Sequence, residues 1–325
     1  MRIGRPGRTI AALAGVALAA AALLPPTPAS AYPERPVTLI IPWDAGGSTD
    51  QTARALARAA EPHLGQPIVV VNKPGASTTL GMAELAAAKP DGYTIGTLSS
   101  TTYLIPLRGR QLPYDMLKSF AYVSYYGDNL IGVAVLADSK WKTMKDLIED
   151  GKANPGKIKY GTAGVGTTQH LTTEAVQLES KAKFVHVPQK GSAASMPALL
   201  GKHVDFITET SVWAPHVESR AARLLAITTP TRAEAFPDAP TLKELGYDSL
   251  RSVQAILGPA GLPEAVRAKL EMAFRKATAD PAFRDVMKRL HMQVIDLPGK
   301  EVEQIVRREI DTAKTLIDKL NLPKQ

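Results

Sequence analysis

The stretch Val37-Thr-Leu-Ile-Ile41-Pro-Trp-Asp-Ala45-Gly-Gly-Ser-Thr-Asp50 decides the fold. Its β-branched run ends at Pro42, a glycine-rich turn follows, and Gln51 to Leu64 has helical spacing of apolar positions. The same strand–loop–helix order recurs downstream. Ile68 to Val71 reads as a strand, followed by Asn72-Lys-Pro-Gly75 and a helix through Ala88. Tyr93 to Leu98 is a third strand, entered through Pro90-Asp-Gly92. Such repetition predicts parallel pairing in a βαβ-type sheet. A second run of units opens at Ile158-Lys-Tyr160, turns through Gly161 to Gly166, and continues with strands at 184–187, 204–207 and 224–228. Helices are expected at 141–150 and 193–200, and three more (263–279, 281–290, 300–320) close the chain. Two similar α/β lobes meeting at a cleft fit this plan, with the chain leaving the first lobe near Val133 and returning near Gln254.

The glycine loops carry the chemistry that can be inferred. Ala45-Gly-Gly-Ser-Thr-Asp50 lies between a strand and a helix. A helix N-terminus offers unpaired N–H groups and the positive end of a dipole, which together bind anions. Gly161-Thr-Ala-Gly-Val-Gly-Thr-Thr168 and Lys190-Gly-Ser-Ala193 repeat the logic. A second reading stands beside it: Ser, Thr and Asp are ordinary helix caps, and these loops can be tight turns that hold nothing.

The length of 325 residues exceeds what one core usually fills, which agrees with two lobes. Zero cysteines exclude thiol nucleophiles, disulfides and thiolate metal sites. Arg2, Arg5 and Arg8 precede an uncharged apolar run from Ile10 to Leu24, then Pro25, Pro26, Pro28 and Ala29-Ser-Ala31. Residues 1–31 therefore read as a secretory signal peptide cleaved before Tyr32, and the apolar run is short for a membrane span of ~20 residues. A lipid anchor would need a cysteine at the cleavage site. The formal charge of +8 includes those three arginines; the remainder carries 36 basic and 31 acidic residues, a net of +5. That is too mild to point to nucleic acid.

Enzymatic motifs are missing. No Lys follows the last glycine of 161–166, so it is no Walker loop, and Gly164-Val-Gly166 lacks the third glycine of a dinucleotide fingerprint. No G-x-S-x-G elbow occurs. His170 and Glu174 lack the second histidine of a zincin, and the six histidines show no ligand spacing, so neither metal nor cofactor is expected. Two hypotheses remain: a non-catalytic receptor, or a secreted α/β enzyme whose nucleophile–base pair or metal cluster is not visible.

Tyr32-Pro-Glu-Arg-Pro-Val-Thr-Leu-Ile-Ile-Pro42 with Ala45-Gly-Gly-Ser-Thr-Asp50 resembles the mature start of Bug/TctC proteins, the extracytoplasmic receptors of tripartite tricarboxylate transporters. The resemblance continues through Leu64 to Ala76, Ala88 to Thr94, Leu112 to Asp115, Tyr160 to Leu171, Val187 to Ala193 and Leu200 to Asp205. It implies an α/β, two-lobed periplasmic binding protein fold of type II-like form, each lobe a mixed, mostly parallel sheet flanked by helices. Lobe 1 is then 32–133 with 255–325, and lobe 2 is 134–254. It also implies a monomeric periplasmic protein that takes a small carboxylate (a dicarboxylate, amino acid or aromatic acid) in the cleft and passes it to integral-membrane permease subunits. The ligand residues it carries over in lobe 1 are Trp43, Asp44, Ala45, Gly46, Gly47, Ser48, Thr49, Ser77, Thr78, Ser100 and Thr101. In lobe 2 they are Thr162, Ala163, Gly166, Thr167, Thr168, Lys190, Gly191, Ser192 and Asp205. Asp44 departs from the family pattern; it favours a ligand with an amino, hydroxyl or amide group, or it points to solvent. Gln189 stands where an aromatic is common and makes one wall more polar.

Overall fold

A computed structural model describes residues 1, 32–107, 111–229 and 231–320. The segment expected to be a signal peptide lies, except for Met1, outside the described residues. Eleven described strands form two sheets. The first contains β1 (Val37–Ile41), β2 (Ile68–Asn72), β3 (Thr94–Ser99), β4 (Phe120–Asp128), β10 (Val253–Pro259) and β11 (Gln293–Pro298), in the order β11-β4-β10-β3-β1-β2. The second contains β5 (Ile131–Leu136), β6 (Ile158–Thr162), β7 (Phe184–Pro188), β8 (Phe206–Thr210) and β9 (Ala222–Ile227), in the order β7-β6-β8-β5-β9.

The βαβ units pair in parallel, as the repetition predicts: β1 with β2 and β3, and β6 with β7 and β8. The remaining pairs, β3 with β10, β4 with β10 and β11, and β5 with β8 and β9, are antiparallel. The sheets are therefore mixed. β4 and β10 are the strands by which the chain leaves and re-enters the first sheet. The expected divisions at 133/134 and 254/255 fall inside β5 and β10; the chain passes between sheets at 129–130 and 228–252. Those apolar strands run on through the expected positions, so no composition change marks the crossing.

Helix α1 (Ser48–Leu64) buries Ala53, Leu56, Ala57, Ala60 and Leu64 against β1. Those positions recur every three to four residues, which keeps one face of the helix on the sheet. Gly65 in the left-handed region ends it. α2 (Thr79–Ala86), α3 (Thr101–Leu107), α8 (Glu264–Ala277), α9 (Pro281–Arg289) and α10 (Gly299–Leu320) complete the first lobe. Asp280 caps α9 through the Phe283 amide, with Pro281 at the first helical position, where a missing N–H costs nothing. In the second lobe are α4 (Met144–Ala153), α5 (Thr168–Ser180), α6 (Ser192–Leu200) and α7 (Ala214–Glu218). α10 does more than cover the first sheet: its Val302, Val306 and Ala313 share a core cluster with Leu171 and Ala175 of α5. Phe120 and Trp141 are core residues, as expected.

Candidate ligand-binding cleft

The cleft between the sheets has an inner and an outer part. The inner cavity, about 20 Å³, is lined by the first turn of α1, the start of α6, Gln169 of α5 and the strand ends Ser99, Thr210 and Gln254. Its remaining walls are Trp43, Asp44, Thr101, Asn129, Gly191 and Ser252. The outer mouth, about 450 Å³, lies between 74–78 of lobe 1 and 163–165 and 188–191 of lobe 2.

Local sequence explains why α1 faces the cavity with free amides. Its N-cap is Gly47, extended at φ −73° and ψ 168°, and no side chain caps it. Ser48, Thr49 and Asp50 therefore fall inside the first turn, three residues earlier than apolar spacing predicts. The Ser48 hydroxyl is turned to Asn129 Oδ1 at 3.1 Å. Asp50 folds back to accept from the Gly46 amide at 3.0 Å, and is itself held by Arg54 at 2.9 Å and by Asn72 Nδ2 at 2.8 Å. This network fixes the loop and pairs the one carboxylate of the first turn with a cation.

α6 repeats the arrangement from the other lobe. Its N-cap Gly191 has φ +87° and ψ 169°, a region open essentially to glycine alone, and again no side chain caps the helix. A Cβ at Gly47 would sit 3.9 Å from Ser192 Cβ, so the two helix starts approach each other across the cleft.

α5 differs. Its N-cap Thr167 accepts from the His170 amide at 3.2 Å and donates to the Gly164 carbonyl at 2.9 Å. His170 Nδ1 accepts from the Gly166 amide at 3.1 Å. Here the capped-turn reading applies: Thr162, Gly166, Thr167 and Thr168 are buried in their own loop and border neither part of the cleft. Thr162 instead bonds His186 at 2.8 Å.

Of the other predicted site residues, Trp43, Asp44, Gly47, Ser48, Thr49, Thr101, Gly191 and Ser192 line the inner cavity. Ser77, Thr78, Ala163 and Lys190 line the mouth, as does Gln189. Ser77 Oγ donates to the Val165 carbonyl across the cleft at 2.9 Å. Ala45 and Gly46 lie exposed on the loop behind. Ser100 is buried, and its Oγ accepts from the Val253 amide at 2.8 Å. Asp205 is exposed and accepts from Lys159 N at 2.7 Å, so it ties the start of β8 to β6 and borders neither part of the cleft.

Sequence reasoning missed Ser99, Asn129, Gln169, Thr210, Ser252 and Gln254. Asn129 and Ser252 lace the two interlobe crossings together: Asn129 N reaches Ser252 O at 2.9 Å, and Nδ2 reaches Ser252 Oγ at 3.1 Å. Three buried groups on the cavity wall, Ser99 Oγ, Thr210 Oγ1 and Gln254 Nε2, have no hydrogen-bond partner. A buried unpartnered polar group costs about 1–3 kcal/mol, so three at one cavity mark a place for a polar guest. Among the described residues, no cluster of three or more His, Asp or Glu is placed to hold a metal.

Two α/β lobes joined by two chain crossings, with open helix starts facing a shared cleft, define the class: a two-lobed solute-binding protein. The family model for the tripartite tricarboxylate transporter family receptor, TctC, matches residues 52–322, and the chain belongs to that family. It is 38% identical over 323 residues to the UPF0065 protein in gbd 5'region of Cupriavidus necator, covering 98% of each chain. The solved periplasmic binding protein BugD is similar at TM-score 0.85 and 31% identity, over 90% of this chain and 100% of that one. An R. palustris protein solved with adipate is similar at TM-score 0.84 and 25% identity, over 89% and 98%. No helix among the described residues is long and apolar enough to cross a membrane.

Proposed function

We propose that this chain is a periplasmic receptor that captures a small organic carboxylate and delivers it to the permease subunits of a tripartite transporter. The observation that carries this reading is the convergence of two uncapped helix starts, α1 and α6, on one cavity with three unpartnered polar groups. A carboxylate there meets backbone N–H groups from both lobes and the positive ends of two dipoles. Contacts to both lobes at once favour the closed form, so ligand energy drives closure.

The ligand's carboxylate occupies the inner cavity and its body extends into the mouth, where Asp44 and Lys190 offer one charge of each sign. That pair suits a dicarboxylate, an amino acid or a hydroxy acid; the adipate complex of the R. palustris protein supports a dicarboxylate. The protein works as a monomer, needs no cofactor, and makes or breaks no bond: binding and closure are its mechanism. Residues 1–31 direct export and are removed before Tyr32.

A thermal-shift screen of adipate, other mono- and dicarboxylates, amino acids and aromatic acids tests this. The cognate acid at ~100 times its Kd adds ~2.7 kcal/mol of stability. Silence across the whole panel contradicts the receptor reading.

A further inference from the structure

Glu209, on β8, is fully buried beneath the second-lobe wall of the cleft. Its Oε1 accepts from Ser195 Oγ at 2.9 Å; its Oε2 accepts from the Thr210 amide at 2.9 Å and from Gln169 Nε2 at 3.4 Å. The Ser192 hydroxyl also hydrogen-bonds it. Every one of these partners is a neutral donor. Three of them, Gln169, Ser192 and Thr210, line the inner cavity. The carboxyl is thus one residue removed from the place where an anion meets the α6 N-terminus.

Among the described residues, the groups seen to hydrogen-bond it are all neutral. β5 and α6 carry no ionisable side chain. α5 carries His170, Glu174 and Glu179; His170 stacks on Tyr160 and His186, and Glu174 accepts from Tyr160. β6 contributes Lys159 and Tyr160, and α7 contributes His216 and Glu218, which pairs with His291. Across the cleft stand Asp44 and the Arg54-paired Asp50, with Lys190 at the exposed mouth.

We infer that Glu209 is a proton-binding site coupled to the cleft, so that capture of an organic anion at the α6 N-terminus is accompanied by uptake of one proton from solvent. Burial disfavours the charged carboxylate and, against the four donors, pushes its pKa from 4.5 up to about 7. A second negative charge beyond Ser192 and Gln169 raises it further, since like charges at short range resist ionisation together. Coupling is reciprocal: if the anion favours the protonated carboxyl, the protonated carboxyl favours the anion. Affinity therefore grows as pH falls, with a limit of about tenfold per pH unit. The inference rests on the proposed placement of the ligand carboxylate, and its test separates the two.

Titration calorimetry with adipate, or with the acid giving the largest thermal shift, is run from pH 6.5 to 8.5 in buffers of different ionisation enthalpy. Wild type shows up to one proton taken up and a Kd that weakens about tenfold over that range. Glu209→Gln shows neither. Ser195→Ala removes a donor to the charged form, so the pH midpoint moves upward while the fold is kept. In the ligand-free protein the unfolded chain ionises this group first, so wild-type stability falls as pH rises from about 4.5 to about 7, and Glu209→Gln flattens that fall. Binding without proton uptake, or the same pH profile in wild type and both variants, overturns the coupling and leaves the receptor reading standing. Failure of every acid to bind takes down the receptor reading and the coupling with it.

Discussion

The two strand–glycine loop–helix units at 37–64 and 158–180 look alike as text but end in opposite states. In both, the third helical residue accepts from the backbone N–H just before the cap: Asp50 from Gly46, and His170 from Gly166. The difference is one side chain. At the cap, Gly47 leaves the α1 amides open to the cavity, while Thr167 seals those of α5 with its own hydroxyl. The second lobe supplies its open helix start one unit later, at Gly191 of α6. A glycine cap thus separates the open turns we propose as the binding site from a turn sealed by its own side chain, which a glycine-rich loop alone does not.

The largest break of this comparison comes from Gly191→Ala. The backbone at φ +87° strains any Cβ by about 1–3 kcal/mol, and the added carbon narrows the approach between α6 and Asp44. Calorimetry should show affinity reduced at least tenfold, and denaturant melts a loss of stability in that range. Ser48→Ala is next. It removes the hydroxyl that joins α1 to Asn129 at the crossing, so a loss of about 1 kcal/mol, roughly five- to tenfold in Kd, is expected with the fold retained. Thr167→Ala reverses the signature: stability falls by about 1 kcal/mol through the lost cap, and Kd stays within about twofold. Equal losses of affinity from Ser48→Ala and Thr167→Ala would erase the distinction between the two turns. Asp205→Asn sits at the bottom of the series. The asparagine still accepts from Lys159 N on an exposed surface, so stability within about 0.5 kcal/mol and unchanged affinity are expected in the same assays.

The fold was legible where periodicity and punctuation agree. The βαβ units and the glycine turns carry local signals. β4, β10 and β11 carried none that separated them from loop, because their pairing is set by partners far away in the chain, as between Val253–Pro259 and Phe120–Asp128. The site divided in the same way. The cavity-lining Trp43, Asp44, Gly47, Ser48, Thr49, Gly191 and Ser192 could be read from the loops. Asn129, Ser252 and Gln254 reach the cavity only because the chain crosses between sheets twice. Glu209 lies in Phe-Ile-Thr-Glu-Thr210, and its inward direction follows from the alternation of β8, a pattern that five residues state weakly. Asp205, by contrast, matched a family position yet serves a strand start.

A crystal structure with the tightest-binding acid from the screen tests the central claim most directly. The account predicts the ligand carboxylate oxygens within ~3.0 Å of a first-turn amide of α1, at Ser48 or Thr49, and of α6, at Ser192 or Ala193. A carboxylate seated on the Gly164 to Thr168 turn, with both of those helix starts untouched, would contradict it.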